Sequence, residues 1–134
     1  MPDVLVDASA LVALLDRDDA KHEQCVAALK RIREPLATVW PALTEAMHLL
    51  ADTPHGPETL CDMVADAVVK LLPVDDTEMG RVKELMQKYR DLPMDFADAV
   101  LVRVAERDQL TQILTFDRDF EIYRLPRRAR FRLM

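Results

Sequence analysis

Eight prolines cut the 134-residue chain into helix-length stretches that carry few other breakers. Proline fixes φ and lacks an N–H, so each one marks the start or the end of an element and not its middle. Between Pro2, Pro35, Pro41, Pro54, Pro57, Pro73, Pro93 and Pro126, short apolar runs alternate with segments of helical period. Asp3–Asp7 reads as a buried strand, and Ala8–Asp16 and Asp19–Glu34 read as helices. Leu36–Val39 reads as a second strand, followed by helices from Pro41 to about Ala51 and from Pro57 to about Lys70. Leu71–Val74 reads as a third strand with Pro73 at its edge or end, and Asp76 or Thr77 caps a helix ending near Tyr89. A helix over about Asp95–Arg107, a strand at Gln112–Thr115 and a fifth strand at Phe131–Met134 complete the pattern. Alternation of this kind predicts a single α/β domain over residues 1–134, with a mainly parallel sheet of four to five strands flanked by helices. Right-handed crossovers then bring every strand-to-helix turn to one edge of the sheet, where ligands bind.

Composition excludes several chemistries. The only glycines are Gly56 and Gly80, so neither a GxGxxG turn nor a phosphate-binding P-loop can be built. Ser9 is the only serine and lies outside any GxSxG elbow. Cys25 and Cys61 stand alone in helical segments, and the three histidines lack metal-site spacing. No apolar run is long enough to span a bilayer, and Asp3 and Asp7 stand where a signal peptide carries positive charge. A cytoplasmic protein is expected.

What remains is acid. Asp7 ends the first strand, Glu45 lies one turn into the helix after the second, Asp95 and Asp98 open the helix after Pro93, and Asp117 follows the fourth strand. Each has a local explanation. Asp7 can cap the next helix, Asp95 and Asp98 can form a capping pair, Glu45 can be solvated, and Asp117 or Asp119 can hold a turn. Taken together, the predicted topology gathers them around one cleft. Carboxylates packed that closely raise each other's pKa unless a cation lies among them. An all-oxygen donor set favours Mg²⁺ or Mn²⁺, ions that activate water and hold the leaving oxygen in phosphodiester hydrolysis.

The segments Val6–Ala10, Leu43–Ala46, Pro93–Ala99 and Thr115–Phe120 resemble, in order and spacing, the acidic motifs of PIN-domain ribonucleases, and most closely those of VapC toxins from type II toxin–antitoxin pairs. The resemblance covers essentially the whole chain. It implies a PIN-like three-layer fold and a Mg²⁺- or Mn²⁺-dependent endoribonuclease site. Asp7, Glu45 and Asp98 would be the core acids and Asp117 the fourth, all four acting as metal ligands and catalytic residues. Asp95 and Ser9 would be accessory, and Asp119 remains an alternative to Asp117. The resemblance further implies an RNA substrate, a homodimer, and a small antitoxin that covers the cleft with a C-terminal segment carrying a basic side chain.

With 18 basic and 24 acidic residues the chain carries a formal charge of −6, an unusual balance for an RNA enzyme. Arg118, Arg127 and Arg128, the last two within the arginine-rich C-terminal segment, are candidate phosphate contacts beside the cleft, or else a solvated, charged tail or an antitoxin-facing patch. Two other readings compete. A receiver domain would want paired acids after the first strand and a late lysine, and no lysine follows Lys88. A PIN-like module that binds a partner without catalysis would not need the acids.

Overall fold

The computed structural model describes residues 1–134. The chain runs β1 (Val4–Val6), α1 (Ala8–Leu15), α2 (His22–Arg31), β2 (Leu36–Thr38), α3 (Trp40–Leu49), α4 (Gly56–Ala65), β3 (Val69–Leu71), α5 (Met79–Lys88), α6 (Phe96–Asp108), β4 (Gln112–Leu114) and β5 (Arg132–Leu133). The five strands form one sheet in the order β3-β2-β1-β4-β5, and every pairing is parallel. This is the expected α/β layering.

The sheet is buried on both faces, so every residue of β1 is apolar. Strand geometry then sends alternate side chains to opposite layers. Leu5, Ala37 and Ile113 join α5 and α6 in one core, with Val82, Leu85, Val100, Leu101 and Val104. Val4, Val6 and Leu114 join the helices of the other face, with Leu11, Cys25, Leu43, Ala46 and Leu60.

Strand order fixes where a ligand can sit. The chain moves outward from β1 through β2 to β3, then returns to place β4 on the other side of β1. The connections leaving β1 and β4 therefore diverge, which opens a crevice at the carboxyl ends of these two strands. Asp7 N–H donates to the Leu114 carbonyl across that crevice.

Several boundaries differ from the sequence expectation. The third strand lies at Val69–Leu71, not Leu71–Val74, and its preceding helix stops at Ala65, well short of Lys70. Ala67 takes a left-handed conformation (φ 60°), with Val68 N–H bonded to the Met63 carbonyl and Ala67 N–H to that of Val64. These bonds close the helix end in the way a glycine usually does, so an alanine there gives no visible stop signal. The second helix starts at His22 because Asp16 and Asp19 accept from the N–H groups two residues on and hold the segment before it in turns. Asp75, and not Asp76 or Thr77, caps the short 3₁₀ turn Asp76–Glu78 that leads into α5. No helix is long and apolar enough to cross a membrane.

Candidate active site

Asp7 is the most constrained acid. It is 4% exposed, at the end of β1. Its Oδ1 accepts from Ser9 Oγ at 2.7 Å and from the Ala10 N–H at 3.1 Å, which caps α1. Its Oδ2 accepts from the Thr115 hydroxyl at the end of β4. Thr115 Oγ1 also receives the Asp117 N–H at 2.9 Å, and Ser9 Oγ receives the Phe116 N–H at 3.0 Å. The loop after β4 is thus tied to Asp7 through two hydroxyls. Burial pushes the Asp7 carboxyl up; the bonds from Thr115, Ser9 and Ala10 pull it back, and the charge of Asp117 adds to the rise.

Asp98 faces it from the first turn of α6. The Asp95 side chain caps this helix by accepting the Asp98 N–H at 2.8 Å, which sets the start of α6 and so the direction of Asp98. The fully buried Tyr123 donates its hydroxyl to Asp98 Oδ2 at 3.2 Å. Tyr123 is itself held edge-on against Phe120 and Tyr89, each at 5.0 Å between ring centroids. Burial, then the charges of Asp95, Asp117 and Asp7, push the Asp98 carboxyl up to about 8. Burial and the neighbouring carboxylate likewise push the Tyr123 hydroxyl well above its ordinary value, so it stays a donor.

Glu45 stands on α3 and is raised by partial burial and by the charges of Asp95, Asp7 and Asp117. Asp117 caps the 3₁₀ turn Arg118–Glu121 by accepting the Asp119 N–H at 2.9 Å. Its charge is felt at Asp7, Glu45 and Asp98, whereas Asp119 couples to Asp117 and Tyr123. Between the two candidates, Asp117 is the one that faces the other acids.

Five carboxylates from four separate stretches of chain therefore meet at the crevice. No arginine or lysine forms a salt bridge with any of them. The chain's ion pairs lie elsewhere, above all where Arg103 and Arg107 of α6 grip Glu78 and where Arg81 of α5 and Arg103 grip Glu106. Uncompensated negative charge in a half-buried crevice suits a hard divalent cation by charge and by donor type. No three His, Cys, Asp or Glu side chains converge closely enough to hold an ion directly. Instead Asp7, Asp95, Asp98 and Asp117 each hold a hydrogen-bond donor of the chain. The capping explanations and the cluster are thus both present. An ion such as Mg²⁺, which keeps several of its waters, fits carboxylates spaced this way.

Two supporting residues escaped the sequence reading. Thr115 was visible only as the end of a strand, and Tyr123 carries no local signal, since its contact with Asp98 spans 25 residues. The arginines are not all where they were expected. Arg118 is exposed next to Asp117 and pairs with Glu121. Arg127 and Arg128 line a groove with Arg81 and Glu106, and Arg127 also borders Gln109 and Thr111, past the end of α6. At 1.5 Å per residue, α6 puts about 16 Å between Asp98 and that end. The displacement follows from topology: β5 runs parallel to β4, so the chain must travel back from Asp117 to the opposite sheet edge before β5 begins. The segment carrying Arg127 and Arg128 is that return leg.

Comparison with known proteins agrees with this geometry. The PIN domain family matches residues 4–125. The chain is a member of the PIN-domain family. Among solved structures, the crystal structure of Mycobacterium tuberculosis VapC20, a Sarcin-Ricin loop cleaving toxin, superposes on this PIN domain with a TM-score of 0.82. The match covers 90% of this chain and 94% of that one at 20% sequence identity, a level at which the fold is what is shared. No curated protein sequence matches the chain. The five-stranded parallel sheet between helical layers is therefore the PIN fold, as the sequence motifs implied.

Proposed function

We propose that this PIN domain is a Mg²⁺- or Mn²⁺-dependent endoribonuclease that hydrolyses RNA phosphodiester bonds, and that it acts in the cytoplasm as a toxin held in check by an antitoxin. The observation that carries the reading is the set of carboxylates at the β1/β4 crevice with no basic side chain among them. The similarity in fold to an RNA-cleaving toxin supports the choice of substrate.

Asp7 and Asp98, with Glu45 and Asp117, would hold the ion through its waters. When bound, the ion supplies Lewis acidity at the phosphate and lowers the pKa of water. The chain's own part is to fix the acids. Ser9, Thr115 and the Ala10 N–H orient Asp7, so that rotation is blocked at both oxygens. Tyr123 holds one oxygen of Asp98 and leaves the other free. Asp95 sets the start of α6, and Asp117 accepts the Asp119 N–H on one oxygen, which leaves the other available. Asp98, held protonated up to about pH 8 in the ion-free crevice, would ionise at lower pH with a cation beside it. A homodimer and an antitoxin segment with a basic side chain complete the proposal, the latter because such a group would satisfy the same unpaired charge.

The test is cleavage of RNA by purified protein with Mg²⁺ or Mn²⁺, with and without EDTA, beside Asp7→Asn. Cleavage that needs the ion and disappears in a variant with an unchanged circular dichroism spectrum supports the proposal. Full activity in Asp7→Asn overturns it. Absence of cleavage under every ion tried turns the protein into a binding module.

A further inference from the structure

Trp40 is the first residue of α3 and is 61% exposed; Phe96 is the first residue of α6 and is 45% exposed. Large aromatic rings at such positions normally pack inward, since burying them is strongly favourable. Here α3 and α6 pack against each other, and their first residues border the same cleft. Trp40 and Phe96 line one cleft of about 730 Å³ with Thr44, Glu45, His48 and Asp95. The cleft is shallow and open to solvent, a shape that suits a flat ring lying on the two aromatic side chains. Glu45 and Asp95 belong to this cleft and to the acid crevice at once, so the two are continuous.

We infer that the Trp40–Phe96 cleft is a nucleobase subsite, which takes an unpaired base of the RNA next to the bond being cut. The inference rests on the nuclease reading above and adds a determinant for single-stranded substrate. A base offers a flat π-face for stacking on the rings, which is tolerant of base identity. Its edge offers N–H donors, and the cleft answers with the Glu45 and Asp95 carboxylates as acceptors. The base is also the uncharged part of the nucleotide, so it can enter a wall where carboxylates repel a phosphate. A base paired in a duplex cannot enter, because its face is stacked and its edge engaged.

The protein has one tryptophan, so its fluorescence reports on this cleft alone. The probes are adenosine and guanosine 5′-monophosphate in Mg²⁺, with ribose 5-phosphate as the base-free control. None of them has a phosphodiester to cleave. Saturable quenching by the nucleotides, absent with ribose 5-phosphate, is expected. In parallel, Trp40→Ala should raise KM for a single-stranded RNA about 5- to 150-fold with little change in kcat. Trp40→Phe should restore most of the loss, and Phe96→Ala should act in the same direction as Trp40→Ala. No quenching, or an unchanged KM in Trp40→Ala, overturns the inference. So does a change of oligomeric state in Trp40→Ala on gel filtration, which would assign the rings to a second copy of the chain. If no RNA is cleaved under any ion while nucleotides still quench Trp40, the nuclease reading fails and the cleft remains a base-binding site without a cleavage role.

Discussion

Replacing Asp98 by Asn should make the ion-free protein more stable, by an amount that grows from about pH 4 to about pH 8. Burial and then the charges of Asp95, Asp117 and Asp7 hold the Asp98 carboxyl at about 8, against an ordinary value of 3.8. The folded state thus binds this proton more tightly than the unfolded state does. Stability from that source is fully present below about pH 4 and is lost as pH rises toward 8. Asparagine has the same shape, still accepts the Tyr123 hydroxyl and carries no charge to bury. The displacement of the carboxyl caps the effect at about 6 kcal/mol. Water in the open crevice screens the repulsion, and about 2–3 kcal/mol should survive above pH 8. For a chain of this length that is roughly 6–12 °C in Tm. The assay is thermal or urea unfolding in EDTA from pH 4 to 9, for both proteins. The curves should meet at the acid end and separate as pH rises. Adding Mg²⁺ should stabilise the wild type, by about 2.7 kcal/mol at a hundredfold excess over Kd, and the variant far less. Parallel curves across the whole range would refute the reasoning, since Asp98 would then carry no buried, repelled charge.

Three further outcomes are expected. Thr115→Val removes the hydroxyl that serves both Asp7 and the Asp117 N–H; it should cost about 1–3 kcal/mol in urea unfolding and weaken Mn²⁺ binding, while Thr115→Ser restores both. Ala67→Gly should raise stability by about 0.5–1 kcal/mol, because glycine takes the left-handed conformation without the Cβ penalty; a loss of stability would show that Ala67 is not held there in solution. Replacing Arg127 and Arg128 together by alanine should leave the slope of log Kd for single-stranded RNA against log salt unchanged, because both stand past the far end of α6; a slope flattened by about 1.4 would put both on phosphates and contradict this placement.

The strand–helix alternation was legible because prolines and apolar runs are local signals. The parallel character of the sheet was legible, since strands joined by helical crossovers run parallel, but the order of its strands was not. Element ends were less so wherever the stop is unusual: Ala67 closes α4 in a conformation that sequence assigns to glycine, and the error carried into β3. The acids could be picked out because each follows a strand or opens a helix, and the topology brings such positions together. Their orientation could not, because it depends on Thr115 and Tyr123, partners 108 and 25 residues away from the acids they hold. Arg127 and Arg128 were misplaced for a related reason. Their distance from Asp117 in sequence is short, but the return leg to β5 carries them to the far end of α6.

The central claim is that Asp7, Asp98, Glu45 and Asp117 jointly attract a hard cation. Crystals soaked in Mn²⁺ test it most directly through anomalous scattering. The account predicts one or two peaks in the crevice between Asp7 and Asp98, absent in Asp98→Asn crystals treated the same way. A saturating soak that leaves this crevice without a peak, or that places manganese only at other acids, contradicts it.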